Sequence, residues 1–400
     1  MLLASLCLLF DSSSLRFSHT RWLSSQRHVG RSGYFATNAV LGILGFHLQE
    51  RSSSNQNKVD EDRSKADSSG FDLKLRDRAF RLLVEAALCY EQDYEQIQMG
   101  VYREPWDMNP THRQFFPQNI LAQTNRLVRD VIGTLTRVSR AEPKDKRVDF
   151  SLAGLKDENY PKYYVTAFHY QNNGWMSKDS ADVYEVSTET LFLGRQDAMQ
   201  RTSLPALMER AKRVRDRPMK VLEVACGTGR FMTFARDNLP LDTEYTAVDL
   251  SPFYLDAARD NDAYWMRTRE SQENAKRTSI RPARVMQAPA ERLPFADDTF
   301  GAVVCIYLFH ELPQAVRARA AAEMARVVRP GGGTVILTDS IQRGDRPALD
   351  ETMGSFGNMN EPYYLNYIQD DLSEHFERAG LHCKTKSVRS STKSLSFGKK

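Results

Sequence analysis

The chain has 400 residues, 41% hydrophobic and 26% charged, which excludes a fibrous or low-complexity polymer and suffices for one large core with an accessory region. A net charge of +4 is slight for this length, so no nucleic-acid partner is expected. Cys7, Cys89, Cys226, Cys305 and Cys383 are scattered without a CxxC pair, which suggests neither a disulfide framework nor a zinc site, and no metal is expected.

Residues 1–50 carry Arg16, Arg21, Arg27 and Arg31 among many serines, with Asp11 and Glu50 the only acids, the composition of an organellar transit segment. Leu2 to Phe10 could instead be the apolar part of a secretory signal, but no basic residue precedes it and no clear small-residue cleavage site follows. The longest apolar stretches, Leu2 to Phe10 and Ala39 to Phe46, fall short of the roughly 20 residues a membrane-spanning helix needs, so none is expected.

Residues 51–70 (RSSSNQNKVDEDRSKADSSG) hold almost nothing apolar to offset ordering entropy and read as a disordered linker. Residues 71–158 read as a helical accessory region, with Ala79, Leu82, Leu83, Ala86 and Ala87 on one helical pattern. A second pattern carries Leu127, Val128, Val131, Ile132, Leu135 and Val138. The aromatic and polar run from Tyr160 to Met199 stands where it can cover a ligand, and opens a main domain spanning 159–400.

From Met219 onward, MKVLEVA, EYTAVDL, ARVMQ, GAVVCIY and GTVILTD alternate with helix-length segments, and Leu381 to Val388 reads as a further strand. The expectation is an α/β fold, a Rossmann-like doubly wound, mostly parallel seven-stranded sheet. Val316, Ala320, Met324 and Val327 predict a helix ended by Pro330-Gly331-Gly332, and Asp370 to Gly380 predicts another, stopped at Gly380. Cys305 sits within an apolar run and is expected in the core.

The segment VLEVACGTGRF, Val221 to Phe231, predicts a buried strand, a turn at Gly227-Thr228-Gly229 and a helix start, where side-chain-free residues let backbone approach a ligand. Asp249 closes the second strand, where a carboxylate can accept hydrogen bonds from both ribose hydroxyls. A nicotinamide fingerprint would need a third glycine where this chain has Met232. S-adenosylmethionine carries no phosphate and suits the loop better, its ammonium meeting Glu223 or main chain near Ala225.

VLEVACGTGRF, AVDLSPFYLDAAR, AERLPFADDTFGAVVC and EMARVVRPGGGTVILTDS resemble the successive motifs of class I S-adenosylmethionine-dependent methyltransferases, within the type 11-like small-molecule branch that includes quinone C-methyltransferases. The resemblance spans residues 219–340. It implies a cofactor loop at Glu223, Ala225, Gly227 and Gly229, a ribose ligand at Asp249, and adenine flanked by Leu250, Ala290 and Glu291. One departure is Ala288-Pro289-Ala290, where many relatives place an acid before the alanine. The run FHYQNNGWMSKDSADVYEVSTETLFLGRQDAMQR is similar to methyltransferase-like proteins of cyanobacteria and plastid-bearing eukaryotes, which points the transit segment to the plastid.

The fourth strand ends in Tyr307-Leu308-Phe309-His310-Glu311, at the carboxyl end of the sheet where ligands sit in this architecture. His310 is a candidate proton acceptor, with Glu311 orienting it or acting instead and Tyr307 beside them; the alternative is that they merely cap the next helix. Trp175, Tyr170, Tyr363 and Tyr364 are candidates to wall an acceptor cavity or simply to pack, and Arg195 and Arg201 to hold a carboxylate or lie at the surface. YLFHEL lacks the tetrapeptide that nucleic-acid and glutamine amino-methyltransferases place there. The expected partner is a small organic or lipid-like methyl acceptor, the alternatives being a non-catalytic organellar assembly factor or a nicotinamide-dependent oxidoreductase.

Overall fold

The computed structural model describes residues 84–86, 88–139, 160–166, 174–192, 194–214, 218–272, 280–354 and 361–399. The expected transit segment and linker, with Ala79, Leu82, Leu83, Ala87 and Tyr170, lie outside the described residues.

Short runs of β-branched and aliphatic residues form seven strands: β1 Lys220–Val224, β2 Glu244–Asp249, β3 Arg284–Gln287, β4 Ala302–Ile306, β5 Thr334–Ser340, β6 Leu381–Arg389 and β7 Thr392–Lys399. They lie in the order β3-β2-β1-β4-β5-β7-β6. β1 through β5 pair in parallel, while β7 runs antiparallel to both β5 and β6. The chain therefore winds outward in both directions from β1, and a crevice opens where β1 and β4 diverge at their carboxyl ends. The fold class matches the expectation; the tail supplies a hairpin rather than one added strand.

The buried strands carry apolar residues on both faces, as a sheet covered twice requires. Leu222, Val224, Val303, Cys305, Val335 and Leu337 face one core, and Val221, Ala247, Ala302, Val304 and Ile336 the other. Cys305 is in the core as expected.

Seven helices of seven residues or more flank this sheet among the described residues with named bounds: α1 Pro117–Ser139, α2 Lys178–Leu191, α3 Leu204–Arg213, α4 Arg230–Asn238, α5 Pro252–Gln272, α6 Gln314–Val327 and α7 Leu372–Arg378. Helices α3, α4 and α5 pack on one face through Leu207, Phe231, Phe234, Leu255 and Trp265; α6 and α7 cover the other through Val316, Ala320, Met324 and Phe376. Asp371 caps α7 by accepting from the backbone N–H groups of Ser373 and Glu374, and Gly380 ends it at φ 85°.

Residues 88–98 are helical, and Asp93 forms a buried ion pair with Arg201 at 2.5 Å, tying the accessory region to the segment before β1. In α1, Leu127 packs on Val183 and Val186 of α2, while Val128 and Ile132 face outward, so only part of the apolar face read from the sequence is covered by described residues. Among the described residues, no helix is long and apolar enough to cross a membrane.

Candidate active site

Beyond β1 and β4 the backbone turns sharply, and both turns begin on a non-glycine residue in the left-handed region: Ala225 at φ 58° and Tyr307 at φ 53°. Such conformations cost energy unless surrounding structure holds them. The Tyr307 N–H donates to the Thr338 carbonyl at 2.8 Å, and the Cys226 N–H next to Ala225 to the Val248 carbonyl at 3.0 Å.

Asp249, at the end of β2, accepts the Gly227 N–H on Oδ2 and the Ser251 N–H on Oδ1, both at 2.9 Å. Burial raises its pKa, and these backbone donors oppose the rise and fix the carboxylate's orientation. Gly227 at φ 54° and Gly229 at φ 75° take the left-handed conformations of the turn. A Cβ on Gly229 would meet Met232 Cε at 2.7 Å and Ala258 Cβ at 3.0 Å, so that position is glycine to let α4 pack on α5. Met232 thus fills the space a third glycine would leave open.

Between these turns lies a cavity that opens to solvent. Its walls are Ala225, Asp249, Leu250, Ala288, Ala290, Leu308, Glu311 and Leu312 from the sheet ends, and Tyr163, Tyr164 and Trp175 from the aromatic run before β1. That run is pinned at three points. The Tyr163 hydroxyl donates to Glu291 at 2.9 and 3.0 Å, the Ser251 hydroxyl to the Trp175 carbonyl at 2.5 Å, and Gln287 Nε2 to the Tyr160 hydroxyl at 3.1 Å. The Tyr164 and Trp175 rings lie 5.2 Å apart. The expected cover is therefore in place, and two of the cavity's walls carry carboxyl groups, while none of its described lining residues is basic.

The turn Phe309–Glu311 after β4 is one 3-10 turn. His310 Nδ1 lies 2.6 Å from Asp339 Oδ1 at the end of β5, and its Nε2 lies 3.4 Å from Glu311 Oε1. Burial works against a charged imidazole, but the flanking carboxylates prevail and push its pKa well above the ordinary histidine value. Asp339 is fully buried and also accepts the Phe309 and Ser340 N–H groups at 2.7 Å each. The rings of Tyr307, Tyr364 and Tyr367 stand 6.0–6.4 Å from His310, enclosing it in aromatic surface.

Of the candidate reacting groups, only Glu311 lines the cavity. His310 stands behind it, and the Tyr307 hydroxyl pairs with Thr392 on β7. Of the expected cofactor residues, Ala225, Asp249, Leu250 and Ala290 line the cavity; Glu291 holds the Tyr163 hydroxyl. Glu223 is 2% exposed and accepts the Tyr245 hydroxyl at 2.8 Å, and the Thr228 hydroxyl donates to Glu185 at 2.9 Å. Trp175 is a wall, whereas Tyr364 packs in the core with its hydroxyl on Ser340, and the Tyr363 carbonyl accepts from Arg317. Arg201 is committed to Asp93, and Arg195 to the Phe192 carbonyl and the Ser390 hydroxyl, both arginines being buried. The surface reading of those two arginines is thereby corrected: long side chains with internal partners are buried between elements.

Tyr163, Tyr164, Leu308, Leu312 and Asp339 were not singled out from sequence. The tyrosines were visible as an aromatic cluster, and Asp339 as an acid ending a strand next to β4.

A methyltransferase domain family model matches residues 221–332. The demethylmenaquinone methyltransferase of Deinococcus radiodurans is 32% identical over 154 residues, 38% of this chain and 54% of the relative. A phosphatidylethanolamine N-methyltransferase of Cereibacter sphaeroides is 32% identical over 150 residues, 37% of this chain and 64% of the relative. The malonyl-[acyl-carrier protein] O-methyltransferase of Halorhodospira halophila is 32% identical over 188 residues, 46% of this chain and 55% of the relative. The chain thus spans between half and two thirds of these relatives' length.

Proposed function

We propose that this chain, a class I S-adenosylmethionine-dependent methyltransferase by family, transfers a methyl group to a small organic or lipid-like acceptor. The observation that carries the reading is the cavity at the switch point, with Asp249 at one wall, Glu311 at another and aromatic faces over it. A nucleoside cation fits such walls: a ribose finds the oriented Asp249 carboxylate, and a sulfonium finds acid and aromatic surface. The nicotinamide fingerprint would also need a third glycine where this chain has Met232.

The sulfonium donor, when bound, supplies an activated methyl group. Asp249 would hold the ribose side, while Leu250, Ala288, Ala290 and Leu308 would give the adenine an apolar slot. Tyr163, Tyr164 and Trp175 exclude water from above, and alignment with desolvation favours an in-line displacement without a dedicated base. Glu311, at the cavity wall, is the group placed to take a proton from an acceptor.

The demethylmenaquinone and phosphatidylethanolamine in the names of two relatives support a lipid-like acceptor, and the malonyl group in a third supports a small acidic one. The arginine- and serine-rich residues 1–50 support import into an organelle, and the resemblance of the run FHYQNNGWMSKDSADVYEVSTETLFLGRQDAMQR favours the plastid, tested by imaging a fluorescent fusion of residues 1–70.

Calorimetry of the full chain tests the reading. S-adenosylmethionine is expected to bind and NADH not to bind, and Asp249→Ala to weaken the methyl donor at least about tenfold, the scale of losing charged hydrogen bonds. Unchanged affinity in Asp249→Ala sinks the assignment.

A further inference from the structure

His310 bridges two carboxylates, one buried and one at the cavity wall. Asp339, fully buried and oriented by the Phe309 and Ser340 N–H groups, requires a proton on His310 Nδ1. The opposite ring nitrogen faces Glu311 Oε1 at 3.4 Å. An imidazole between two acids carries both protons, so His310 is a cation that cannot accept a proton from a substrate. Its charge lies against Glu311, whose side chain is only 8% exposed, and an adjacent cation favours a carboxylate there.

Among the described residues, Lys393 stands across from Asp339 on β7, where it is held by Asp345 at 3.0 Å and by the Gln342 side chain. Tyr184 of α2, Tyr307 at the end of β4, and Tyr364 and Tyr367 of the short helix Tyr364–Tyr367 all have pKa values raised by burial, and remain neutral. Arg317 of α6, which packs on the Tyr367 ring, is paired with Asp370, and Arg195 near Tyr307 is bonded to Phe192 and Ser390. Asp249 adds a second acid to the same cavity.

We propose that Glu311 makes this site charge-selective, holding the cationic methyl donor in preference to its uncharged demethylated product, with Asp339 and His310 as positioning residues that act through it. The inference rests on the methyl-donor reading above. Loss of the methyl group removes the positive charge at sulfur and leaves the rest of the ligand unaltered. A fixed carboxylate in a cavity of low polarity distinguishes the two forms, and its attraction disappears when the product forms. The site would therefore release S-adenosylhomocysteine more readily than S-adenosylmethionine, a difference that arises from Glu311 and needs no acceptor to be observed.

The test is calorimetric titration of the full chain with three probes: S-adenosylmethionine, S-adenosylhomocysteine, and sinefungin, which carries an ammonium in place of the methylated sulfur. The expected result is that both cations bind wild-type protein roughly tenfold more tightly than S-adenosylhomocysteine, and that Glu311→Gln removes this preference while leaving S-adenosylhomocysteine within about twofold. A wild-type preference for S-adenosylhomocysteine over both cations overturns the inference even if the variant does not fold. So does a Glu311→Gln protein that weakens all three probes alike, or none. The positioning role is read separately: as pH is lowered below neutral, the cation preference is expected to fade earlier in His310→Gln than in wild type, because Glu311 has lost the neighbouring cation that opposes its protonation. A preference that fades no earlier in His310→Gln than in wild type removes His310 and Asp339 from the proposal. Failure of wild-type protein to bind any of the three overturns the methyl-donor reading itself, an outcome distinct from binding without charge preference.

Discussion

Gly229 and Met232 show one residue's size deciding what another is allowed to be. Gly229 combines a left-handed φ of 75° with the close approach of Met232 and Ala258, so a side chain there meets strain and overlap together. Gly229→Ala is expected to lose about 1–2 kcal/mol from the backbone conformation alone, and more from displacing Ala258, seen as a lower urea midpoint at unchanged slope. A midpoint within error of wild type would show that α4 can move away from α5 at no cost. From sequence, the glycines of the turn read as room for a ligand, and Met232 only as a missing glycine. At Gly229 the side chain that occupies that room belongs to the protein, which spacing along the chain cannot reveal. Asp249 was legible for a simpler reason: strand order puts the end of β2 beside the turn after β1, whatever the side chains do.

At the scale of elements, Arg317 joins the turn after β4 to the segment that encloses His310. It is fully buried in α6, where its Nε donates to the Phe309 carbonyl at 2.8 Å, Nη1 to Asn366 and Asp370 at 2.8 Å each, and Nη2 to the Tyr363 carbonyl at 3.1 Å. Its guanidinium also lies 5.4 Å from the centre of the Tyr367 ring. One side chain thereby fixes both walls of the niche holding the imidazole. Arg317→Met keeps much of the volume but strands Asp370 and two carbonyl groups, a loss of about 3 kcal/mol. His375, 2.8 Å from Asp370, keeps the cost toward the low end of what a broken buried pair gives. Stability within 1 kcal/mol of wild type in chemical denaturation would contradict this account. The periodicity of α6 was readable from Val316, Ala320, Met324 and Val327, and the structure buries all four. Arg317 was not, because a charged residue beside an apolar stripe ordinarily marks the solvent side, and three of its four hydrogen-bond partners lie some fifty positions further along the chain. The aromatic cover over the cavity was legible as a cluster between Tyr160 and Trp175, but which rings reach the cavity depended on contacts with Glu291, Ser251 and Gln287.

For the whole molecule, the consequence of packing acids and histidines into the sheet ends is a stability that depends on pH with a definite sign. Burial pushes the Glu223 carboxyl up to about 8, with the Tyr245 hydrogen bond opposing and the Asp249 charge reinforcing, from 4.5 in an unperturbed chain. His310 is raised well above 6.5 for the reasons given above. Both groups therefore hold protons in the folded state that the unfolded chain has released. Their contribution is complete below the unfolded values and is lost as pH rises through the folded ones. His112 has the opposite sign: burial lowers it to about 4, so folding stability gains as pH rises from there to 6.5 and is level beyond. Above about pH 6.5 the falling terms stand alone, each retained proton worth about 1.4 kcal/mol per pH unit. Folding free energy measured by denaturant titration is thus expected to decline between about pH 6.5 and 8, and Glu223→Gln, which keeps an uncharged side chain beside Tyr245, to reduce that slope by close to one proton. Should the variant and wild type show the same slope, Glu223 is ionised in the folded protein, and its burial beneath the turn at Ala225 must be relieved by a charge or solvent contact at the same wall of the sheet.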